Sequence, residues 1–243
     1  MSLFTERQLT GAVGRLVALW RYPVKSMAAE KLDEVDVSWH GLAGDRRWAF
    51  VRDGVPQSGF PWLTLRERPD LRDYRPSPTD PNRPDDGVVL VRTPSGAELD
   101  VVDPALADEL GHGARVIKQN RGVFDTMPLS LITTQTIASL GALVGGELDA
   151  QRFRPNLLLE AAGDTPYPED AWVGSLLRIG DLRVRIDRRD QRCVVVNIDP
   201  VTASCEPAIL RAIARERQSC AGVYGSIVQP GRISVGDPVL LEH

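Results

Sequence analysis

The amino-acid sequence predicts a mainly β protein of the α+β class, with barrel-like β structure and a few peripheral helices. Short segments such as Val35–Trp39 and Leu182–Ile186 alternate apolar and polar residues, which is typical of strands with one buried face. Glycine and proline turn signals, among them Asp53-Gly54 and Pro94-Ser95-Gly96, separate these segments. Many short strands joined by frequent turns are typical of β-barrels.

The first half of the chain contains mostly strand patterns. Met1–Ala12 has no clear periodicity, which predicts a loose end. Pro76–Gly87 holds four prolines and four acidic or amide residues, which indicates a surface loop. Pro104–Leu110 predicts a short helix. The predicted strands are Gly14–Tyr22, Val35–Trp39 and Arg46–Val51, followed by a hairpin of Val88–Arg92 and Glu98–Val102.

The second half contains the two strongest helix patterns. Thr133–Leu143 has apolar residues at helical spacing and is followed by Gly145-Gly146, a helix stop signal. Glu206–Arg217 is the other helix, and Pro207 is tolerated in its first turn. The predicted strands are Asp125–Ile132, Leu157–Leu159, Leu182–Ile186, Gly222–Val228 and Val239–Leu241.

Composition excludes several classes of protein. The chain has 243 residues, of which 42% are hydrophobic and 26% charged, as in ordinary globular domains. Its net charge of −4 gives no support for nucleic-acid binding. No apolar run approaches the roughly 18 residues of a membrane span, and no signal peptide is recognised. Three cysteines without a CxxC pair predict neither disulfides nor a zinc or iron–sulfur site, and we expect a cytoplasmic location.

One polar stretch contains the best candidate for chemistry. Between Asp187 and Cys193 lie three arginines and a second aspartate, and the apolar run Val194–Ile198 follows. We expect Cys193 to lie where one strand ends in a polar turn and another begins. A cysteine next to an arginine is in a setting that favours the thiolate, which is both a nucleophile and a soft metal ligand. The alternative is a small buried apolar side chain that happens to follow charged residues.

Five motifs, in register over about Gly14 to Leu241, together carry a family resemblance. The sequence resembles the MOSC family, named for the C-terminal domain of molybdenum cofactor sulfurase, with its N-terminal β-barrel domain. It is similar to the mitochondrial amidoxime-reducing components and the bacterial YcbX-type proteins. The resemblance implies two domains, residues 13–118 and 119–243. The motifs are Tyr22–Ser26, Gly44–Trp48, Phe153–Asn156, Arg192-Cys193 with Asp199-Pro200, and Gly231 with Gly236-Asp237.

The resemblance implies a bound molybdenum cofactor and assigns residues to it. Cys193 would be the protein ligand of molybdenum and, with Arg192, the catalytic pair. A thiolate suits a metal already held by soft dithiolene sulfurs, while the cofactor phosphate needs arginine, lysine and hydroxyl donors. Binding of pyridoxal phosphate is a further expectation at the level of the family. The implied cofactor-binding residues are Lys25, Ser26, Arg46, Thr126, Arg154, Asn156, Arg192 and Tyr224.

Several of these residues also have ordinary structural interpretations. Arg46 and Arg47 are alternatively salt-bridge partners of Asp45, and of the two only Arg46 matches a family anchor. Arg154 is alternatively a solvated loop residue and Asn156 a strand-entry cap. Thr126 and Tyr224 are alternatively core hydroxyls, and Cys205 and Cys220 match no family role. The cofactor-binding and the structural interpretations of these residues therefore both stay open at this point.

The sequence also departs from the family pattern in two places. Ala203 stands where a glycine is usual, so a glycine turn is lost. Asp190, three residues before Cys193, stands where the family often has a cysteine or small residue. An aspartate so near the metal would alter its charge balance or accept a hydrogen bond from substrate.

Two functions of different classes follow from the resemblance. The first is a molybdenum-dependent oxidoreductase that reduces N-hydroxylated or similar small oxidised substrates. We expect neither the ferredoxin domain of YcbX-type proteins nor the desulfurase domain of the sulfurases in this chain. We therefore expect electrons from a separate flavin, haem or iron–sulfur protein. The second is a sulfur carrier or cofactor-binding module with a persulfide on Cys193.

Overall fold

The computed structural model describes residues 9–54 and 60–242. It is mostly β structure, which confirms the predicted fold class. The strands are β1 (Leu9–Arg21), β2 (Glu30–Leu32), β3 (Glu34–Ser38), β4 (Gly41–Leu42), β5 (Trp48–Val51), β6 (Arg75–Pro78), β7 (Val89–Arg92), β8 (Glu98–Asp100), β9 (Arg115–Lys118), β10 (Leu129–Thr133), β11 (Leu157–Ala161), β12 (Leu176–Ile179), β13 (Leu182–Gln191), β14 (Cys220–Gln229), β15 (Gly231–Ser234) and β16 (Pro238–Glu242).

Seven of these strands close into a barrel. Their order around the ring is β1, β11, β10, β14, β13, β12 and β16, and β16 pairs with β1 again. Only the β10–β11 pair is parallel among the ring pairings of the described chain. Strand β1 closes the ring between β16 and β11. It is long and bulged, so that successive parts of it pair with β16, β11 and β2.

Alternation of apolar residues along the strands fills the barrel interior. Leu16 and Leu19 of β1 are fully buried there, as are Val184 and Ile186 of β13. Fully burying one such side chain stabilises the fold by about 1.5–3 kcal/mol, so this cluster is the main source of stability for the barrel. The small sheet of β15, β3 and β4 packs its own valines and Ile233 against the same core.

The rest of the first half forms a second core beside the barrel. Strands β6, β7 and β8 make an antiparallel sheet, and β5 pairs with β9. Helix α1 (Pro104–Leu110) starts at Asp103, whose side chain accepts a hydrogen bond from the Ala105 amide. Leu106 and Leu110 of this helix are buried in the second core.

Two longer helices pack together outside the barrel. Helix α2 (Thr134–Val144) begins at the Thr133 cap and ends at Gly145, which has the left-handed backbone expected of a C-terminal glycine. Helix α3 (Pro207–Arg217) buries Ile209 and Ile213 in the apolar cluster that the two helices share. Short 3-10 helices cover Pro69–Asp73, Ala150–Phe153, Pro168–Trp172 and Val194–Asn197.

Most predicted elements are present with nearly the predicted bounds. Helix α1 matches its prediction at both ends, and α2 and α3 match to within a residue. The hairpin of β7 and β8 is also confirmed. The remaining confirmed strands lie at or near their predicted positions.

Other predictions were wrong, and each has a physical reason. Leu9–Ala12 belongs to β1, because pairing with β16 orders a segment that lacks periodicity; Met1–Gln8 lies outside the described residues. Arg75–Pro78 is a strand although two of its residues are prolines, which suits an edge strand. Strand β15 was missed because it is short and lies between two turn signals.

The predicted boundary between residues 118 and 119 stays a prediction. Strand β1 precedes that boundary, yet it is a member of the barrel ring whose other strands begin at Leu129 or later. The two halves of the sequence therefore share one closed sheet.

The tight contact of Gly14 with β11 generates a test of barrel closure. A Cβ at Gly14 would lie 2.4 Å from the Glu160 carbonyl oxygen and 2.9 Å from the Ala161 Cα. We expect Gly14→Ala to lower the free energy of unfolding by about 1–3 kcal/mol, as overpacking does elsewhere. The measurement is urea unfolding followed by tryptophan fluorescence.

Gly11→Ala is the matched control, because Gly11 lies in the same strand with nothing within 4 Å of its added Cβ. It is expected to leave stability unchanged or to raise it slightly, since alanine loses less backbone entropy on folding. Equal midpoints for the two variants would contradict a tight β1–β11 seam.

Candidate functional site

The structure brings eight of the nine predicted site residues to the wall of one cleft. They come from five separate places: the turn after β1, the turn before β5, the segment before β11, the end of β13, and β14. These places meet because β1, β11, β13 and β14 belong to one closed ring. The eight residues are Lys25, Ser26, Arg46, Arg154, Asn156, Arg192, Cys193 and Tyr224.

Thr126, the ninth predicted residue, does not line the cleft. Its side chain is exposed, whereas its neighbours Asp125 and Met127 both line the cleft. The segment before β10 therefore directs Asp125 toward the site. Contact of Thr126 with a cofactor stays a prediction.

Three of the cleft residues have a left-handed backbone that non-glycine residues rarely adopt. The φ angles are 70° at Ser26, 50° at Arg46 and 49° at Arg154. Such a conformation costs about 1–3 kcal/mol at each position and persists only where the surroundings enforce it. A main-chain bond of 2.7 Å from the Arg46 amide to the Tyr22 carbonyl is one such constraint. Strain of this kind concentrates at functional sites.

The Tyr22 ring lies between two guanidinium groups. The Arg46 Cζ is 4.4 Å and the Arg154 Cζ 4.3 Å from the ring centroid, within the range of cation–π attraction. The phenol donates a 3.1 Å hydrogen bond to the Pro155 carbonyl. Burial raises the pKa of Tyr22 to about 12, with the two arginines opposing the shift. Tyr22 therefore stays neutral and keeps both arginines in place.

A buried carboxylate, Asp45, ties this stack together. It accepts hydrogen bonds from the Tyr22 amide at 2.8 Å, from Arg46 Nη1 at 2.5 Å and from Asn156 Nδ2 at 3.2 Å. Burial opposes the charge of Arg46, but Asp45 outweighs it and raises the pKa of that guanidinium. Arg46 is thus a salt-bridge partner of Asp45 and a cleft residue at once, so both interpretations hold.

Arg47 and Asn156 have mainly structural surroundings. Arg47 is buried and pairs with Asp85 away from the cleft wall, as expected of a structural residue. The Asn156 amide group also donates to the Trp20 carbonyl at 3.2 Å and accepts from the Ser130 amide at 3.3 Å. These bonds hold the segment before β11 against β1 and β10.

Lys25 and Arg154 are cations that the fold has partly withdrawn from water. Burial lowers the pKa of Lys25, while its ion pair with Asp125 opposes that shift. Burial also lowers the pKa of Arg154, to about 10. Among the described residues no carboxylate forms an ion pair with Arg154, whose Nη2 donates to the Met27 carbonyl at 2.9 Å. Such a cation is suited to an anionic ligand.

Cys193 is half-buried at the end of β13. The polar stretch before it is a continuation of β13 to Gln191, because pairing with β14 extends that far, and the predicted polar turn was wrong. The predicted strand after it was also wrong, since Val194–Asn197 is a 3-10 helix with Val196 buried. The helix turns the chain sharply, so that Cys193 faces the cleft.

Arg192 is held rigidly beside the cysteine. Its Nε donates to the Ala221 carbonyl at 2.7 Å and its Nη1 to the Phe153 carbonyl at 2.8 Å. Gly222 makes room for it, because a Cβ there would lie 3.1 Å from Arg192 Nη2 and 2.6 Å from the Leu131 carbonyl. The guanidinium therefore has a fixed position in the cleft wall.

Two further basic residues of the cleft were missed in the sequence. Arg66 is exposed, and a hydrogen bond with Cys193 is the largest cause that raises the pKa of its guanidinium. Arg152 is buried and pairs with Asp199 at 2.6 Å and Glu206 at 2.5 Å. No motif contains Arg66, whereas Arg152 directly precedes the Phe153–Asn156 motif and its position was the one available signal.

The cleft is strongly basic although the whole chain is acidic. Six basic side chains line it against two carboxylates, Asp125 and Asp190, whereas the chain carries a net charge of −4. No group of three or more His, Cys, Asp or Glu suited to a metal ion occurs among the described residues. The six basic residues are Lys25, Arg46, Arg66, Arg152, Arg154 and Arg192.

Comparison with known proteins identifies the domains of the chain. The MOSC domain matches residues 118–240, and the MOSC N-terminal beta barrel domain matches residues 13–125. The chain belongs to the MOSC family. The resemblance inferred from the sequence motifs is therefore confirmed.

Relatives of this MOSC protein fall into two groups. Mitochondrial amidoxime-reducing component 1 of Homo sapiens is 24% identical, over 97% of this chain and 85% of its own length. Molybdenum cofactor sulfurase of Drosophila mojavensis is 26% identical over 83% of this chain, but over only 30% of its own length. Neither name indicates pyridoxal phosphate or a cytoplasmic location for this chain, and both stay predictions.

The fold has a solved counterpart. The crystal structure of the YuaD protein from Bacillus subtilis superposes with a TM-score of 0.55 at 12% identity, covering 97% of this chain and 98% of its own. That likeness concerns the fold alone. In the part of the MOSC protein that the structure describes, no helix is both long and apolar enough to cross a membrane.

The buried Tyr22 phenol gives a pH prediction. Its folded pKa of about 12 exceeds the ordinary value of about 10, so the unfolded chain loses this proton first as pH rises. Stability contributed by Tyr22 is therefore complete below pH 10 and is lost between about pH 10 and 12. We expect Tyr22→Phe to flatten the fall in unfolding free energy over that range.

The measurement is urea unfolding of both proteins at several pH values from 8 to 11.5. Tyr167→Phe is measured for comparison: burial also raises the pKa of Tyr167, so this variant reports the contribution of a phenol that does not line the cleft. A wild-type slope that survives Tyr22→Phe unchanged would contradict the neutral, buried phenol.

Proposed function

We propose that this MOSC protein is a molybdenum-cofactor-dependent oxidoreductase that reduces N-hydroxylated or similar small oxidised compounds. The observation that carries the proposal is the convergence of a half-buried cysteine and six basic side chains on one cleft. Its relationship to amidoxime-reducing components over 97% of the chain supports this reaction class.

The residues present fit the cofactor. Two buried polar atoms of cleft residues, Arg152 Nε and Asp190 Oδ1, have no hydrogen-bond partner in the described structure. Buried polar atoms are nearly always paired, so a polar ligand in the cleft is the natural source of partners. The excess of positive charge suits the cofactor phosphate, and the thiol of Cys193 suits a soft metal.

In this proposal the bound cofactor supplies the two-electron chemistry that breaks the N–O bond. The protein binds the cofactor and the substrate and orients them. Lys25, Ser26 and Arg154 would hold the phosphate, Arg46 would fix Arg154 through the shared tyrosine, and Cys193 would be the single protein ligand of the metal. Arg192 places positive charge beside the thiolate and beside any negative charge that develops on the substrate.

Electrons reach the site from a separate protein that carries flavin, haem or an iron–sulfur cluster. The relatives are named components of amidoxime reduction, and a component works with other proteins. Residues around the cleft mouth, among them the exposed Arg66, are where such a partner would approach.

The second candidate is a sulfur carrier or cofactor-binding module with a persulfide on Cys193. Two observations favour it: the relationship to molybdenum cofactor sulfurases, and the Arg66 guanidinium, which lines the cleft together with Cys193 and whose pKa that cysteine raises. A cation beside a cysteine stabilises a thiolate or persulfide anion. This candidate uses the same residues for a different chemistry.

Metal content tests the ligand assignment. Expressed in a host that makes the cofactor, the wild type should contain about one molybdenum and one pterin per chain. We expect Cys193→Ser to lose most of the molybdenum, because a serine hydroxyl is a poor soft donor, and Arg154→Ala to lose molybdenum and pterin together. The measurements are metal analysis and pterin fluorescence after oxidation.

Arg115→Ala is the control for loss of a positive charge, because Arg115 lies on β9 with its side chain 71% exposed and is not a cleft residue. It should retain both molybdenum and pterin. Equal molybdenum in Cys193→Ser and the wild type would remove the cysteine from the metal site.

Turnover separates the enzyme from the carrier. Supplied with a reduced viologen dye, the loaded protein should convert benzamidoxime to benzamidine, because the dye replaces the external electron carrier. The product is measured by chromatography. Full molybdenum loading without turnover of amidoximes, N-oxides or hydroxylamines, together with cyanide-releasable sulfur on Cys193, would establish the carrier instead.

A further inference from the structure

Asp190 is a buried carboxylic acid in the cleft wall that the binding role does not use. Only 1% of it is exposed, and it lies three residues before Cys193 at the end of β13. Ser130 Oγ on β10 donates to its Oδ2 at 3.0 Å, and Arg192 Nη2 lies 2.8 Å from the same oxygen. Its other oxygen, Oδ1, has no partner among the described residues.

The groups around Asp190 shift the pKa of its carboxyl group. Burial raises the pKa of Asp190, and the negative charge of Asp125 adds to that shift. Arg192, Ser130 and Tyr224 oppose it. The other charged groups of the cleft are the basic residues Lys25, Arg46, Arg66, Arg152 and Arg154.

Reduction of an N–O bond needs protons as well as electrons. An amidoxime takes up two electrons and two protons, the N–O bond breaks, and an amidine and water form. The external flavin, haem or iron–sulfur protein supplies the electrons. Because the oxygen leaves as water, a proton must reach it, and an acid inside the cleft is suited to deliver that proton as the bond breaks.

We propose that Asp190 is the proton donor of this reaction, delivering its proton from Oδ1 to the oxygen that leaves the substrate nitrogen. This inference rests on the proposed reductase function. Arg192 then stabilises the resulting carboxylate across 2.8 Å. Tyr224, which is half-buried and lines the same cleft, connects Asp190 to solvent for reprotonation, and the second proton comes from water.

Two measurements on cofactor-free protein test the protonation itself. In a pH titration followed by infrared spectroscopy, the wild type should retain the carbonyl band of a neutral carboxylic acid to higher pH than its exposed carboxyl groups do, and this last band should be absent in Asp190→Asn. Its presence in both proteins, or its absence from the wild type, would overturn the proposal whatever the cofactor content.

The second measurement is the pH dependence of unfolding. The folded pKa of Asp190 is raised, so the unfolded chain loses this proton first, and its stabilising contribution is lost as pH rises from about 4. The wild type should therefore lose stability relative to Asp190→Asn on going from pH 4 to pH 7. Asp125→Asn gives the opposite sign, because Lys25 outweighs burial and lowers the pKa of Asp125.

Turnover of the loaded protein completes the test. We expect Asp190→Asn to keep its molybdenum and pterin, and to lower kcat/KM for benzamidoxime roughly 100-fold or more, since proton transfer contributes about that much. Wild-type kcat/KM should fall as pH rises through the folded pKa of Asp190, and the variant should lose this dependence. Asp187→Asn, on the same strand outside the cleft lining, should behave as wild type.

The outcomes separate this inference from the proposed function. A wild type that binds no molybdenum defeats the reductase proposal, and the infrared result still decides whether Asp190 is a neutral acid. A loaded Asp190→Asn with wild-type turnover and an unchanged pH profile leaves the reductase intact and overturns the proton-donor role.

Discussion

The burial of positive charge is the constraint on which this structure depends. Arg46, Arg154 and Lys25 are largely withdrawn from water, although an unpaired buried cation is expensive. Asp45 compensates Arg46, Asp125 compensates Lys25, and the Tyr22 ring attracts both arginines through its faces. Arg154 has no carboxylate partner among the described residues, and its charge suits the cleft to the anionic cofactor of the proposed function.

This arrangement explains why distant segments meet with such strained backbones. Ser26, Arg46 and Arg154 must each reverse the chain to point a side chain into the cleft, and all three adopt positive φ angles. The barrel enforces these strained backbone conformations, because its closed ring fixes the turn after β1 next to the segment before β11. The free energy gained by burying the apolar core thus offsets the backbone strain that positions the charged groups.

The sequence predicted the elements well where the signal was local. The alternation in Leu182–Ile186 is a property of neighbouring residues, and it identified that strand correctly. Motifs in register also identified eight of the residues that line the cleft. Sequence alone did not reveal Arg66, because its link to Cys193 is a tertiary contact between distant loops. The strand expected after Cys193 is a 3-10 helix for a similar reason: apolar runs bury equally well in either form.

The position of β1 in the ring has a consequence for the order of folding. During synthesis β1 emerges first, yet its barrel neighbours β11 and β16 follow only at residues 157–161 and 238–242. At about 5–20 residues per second, the first strand waits roughly 10 to 40 s for the last one. Throughout that interval its apolar residues, including Leu16 and Leu19, have no barrel to enter. The ring can therefore close only after β16 has left the ribosome.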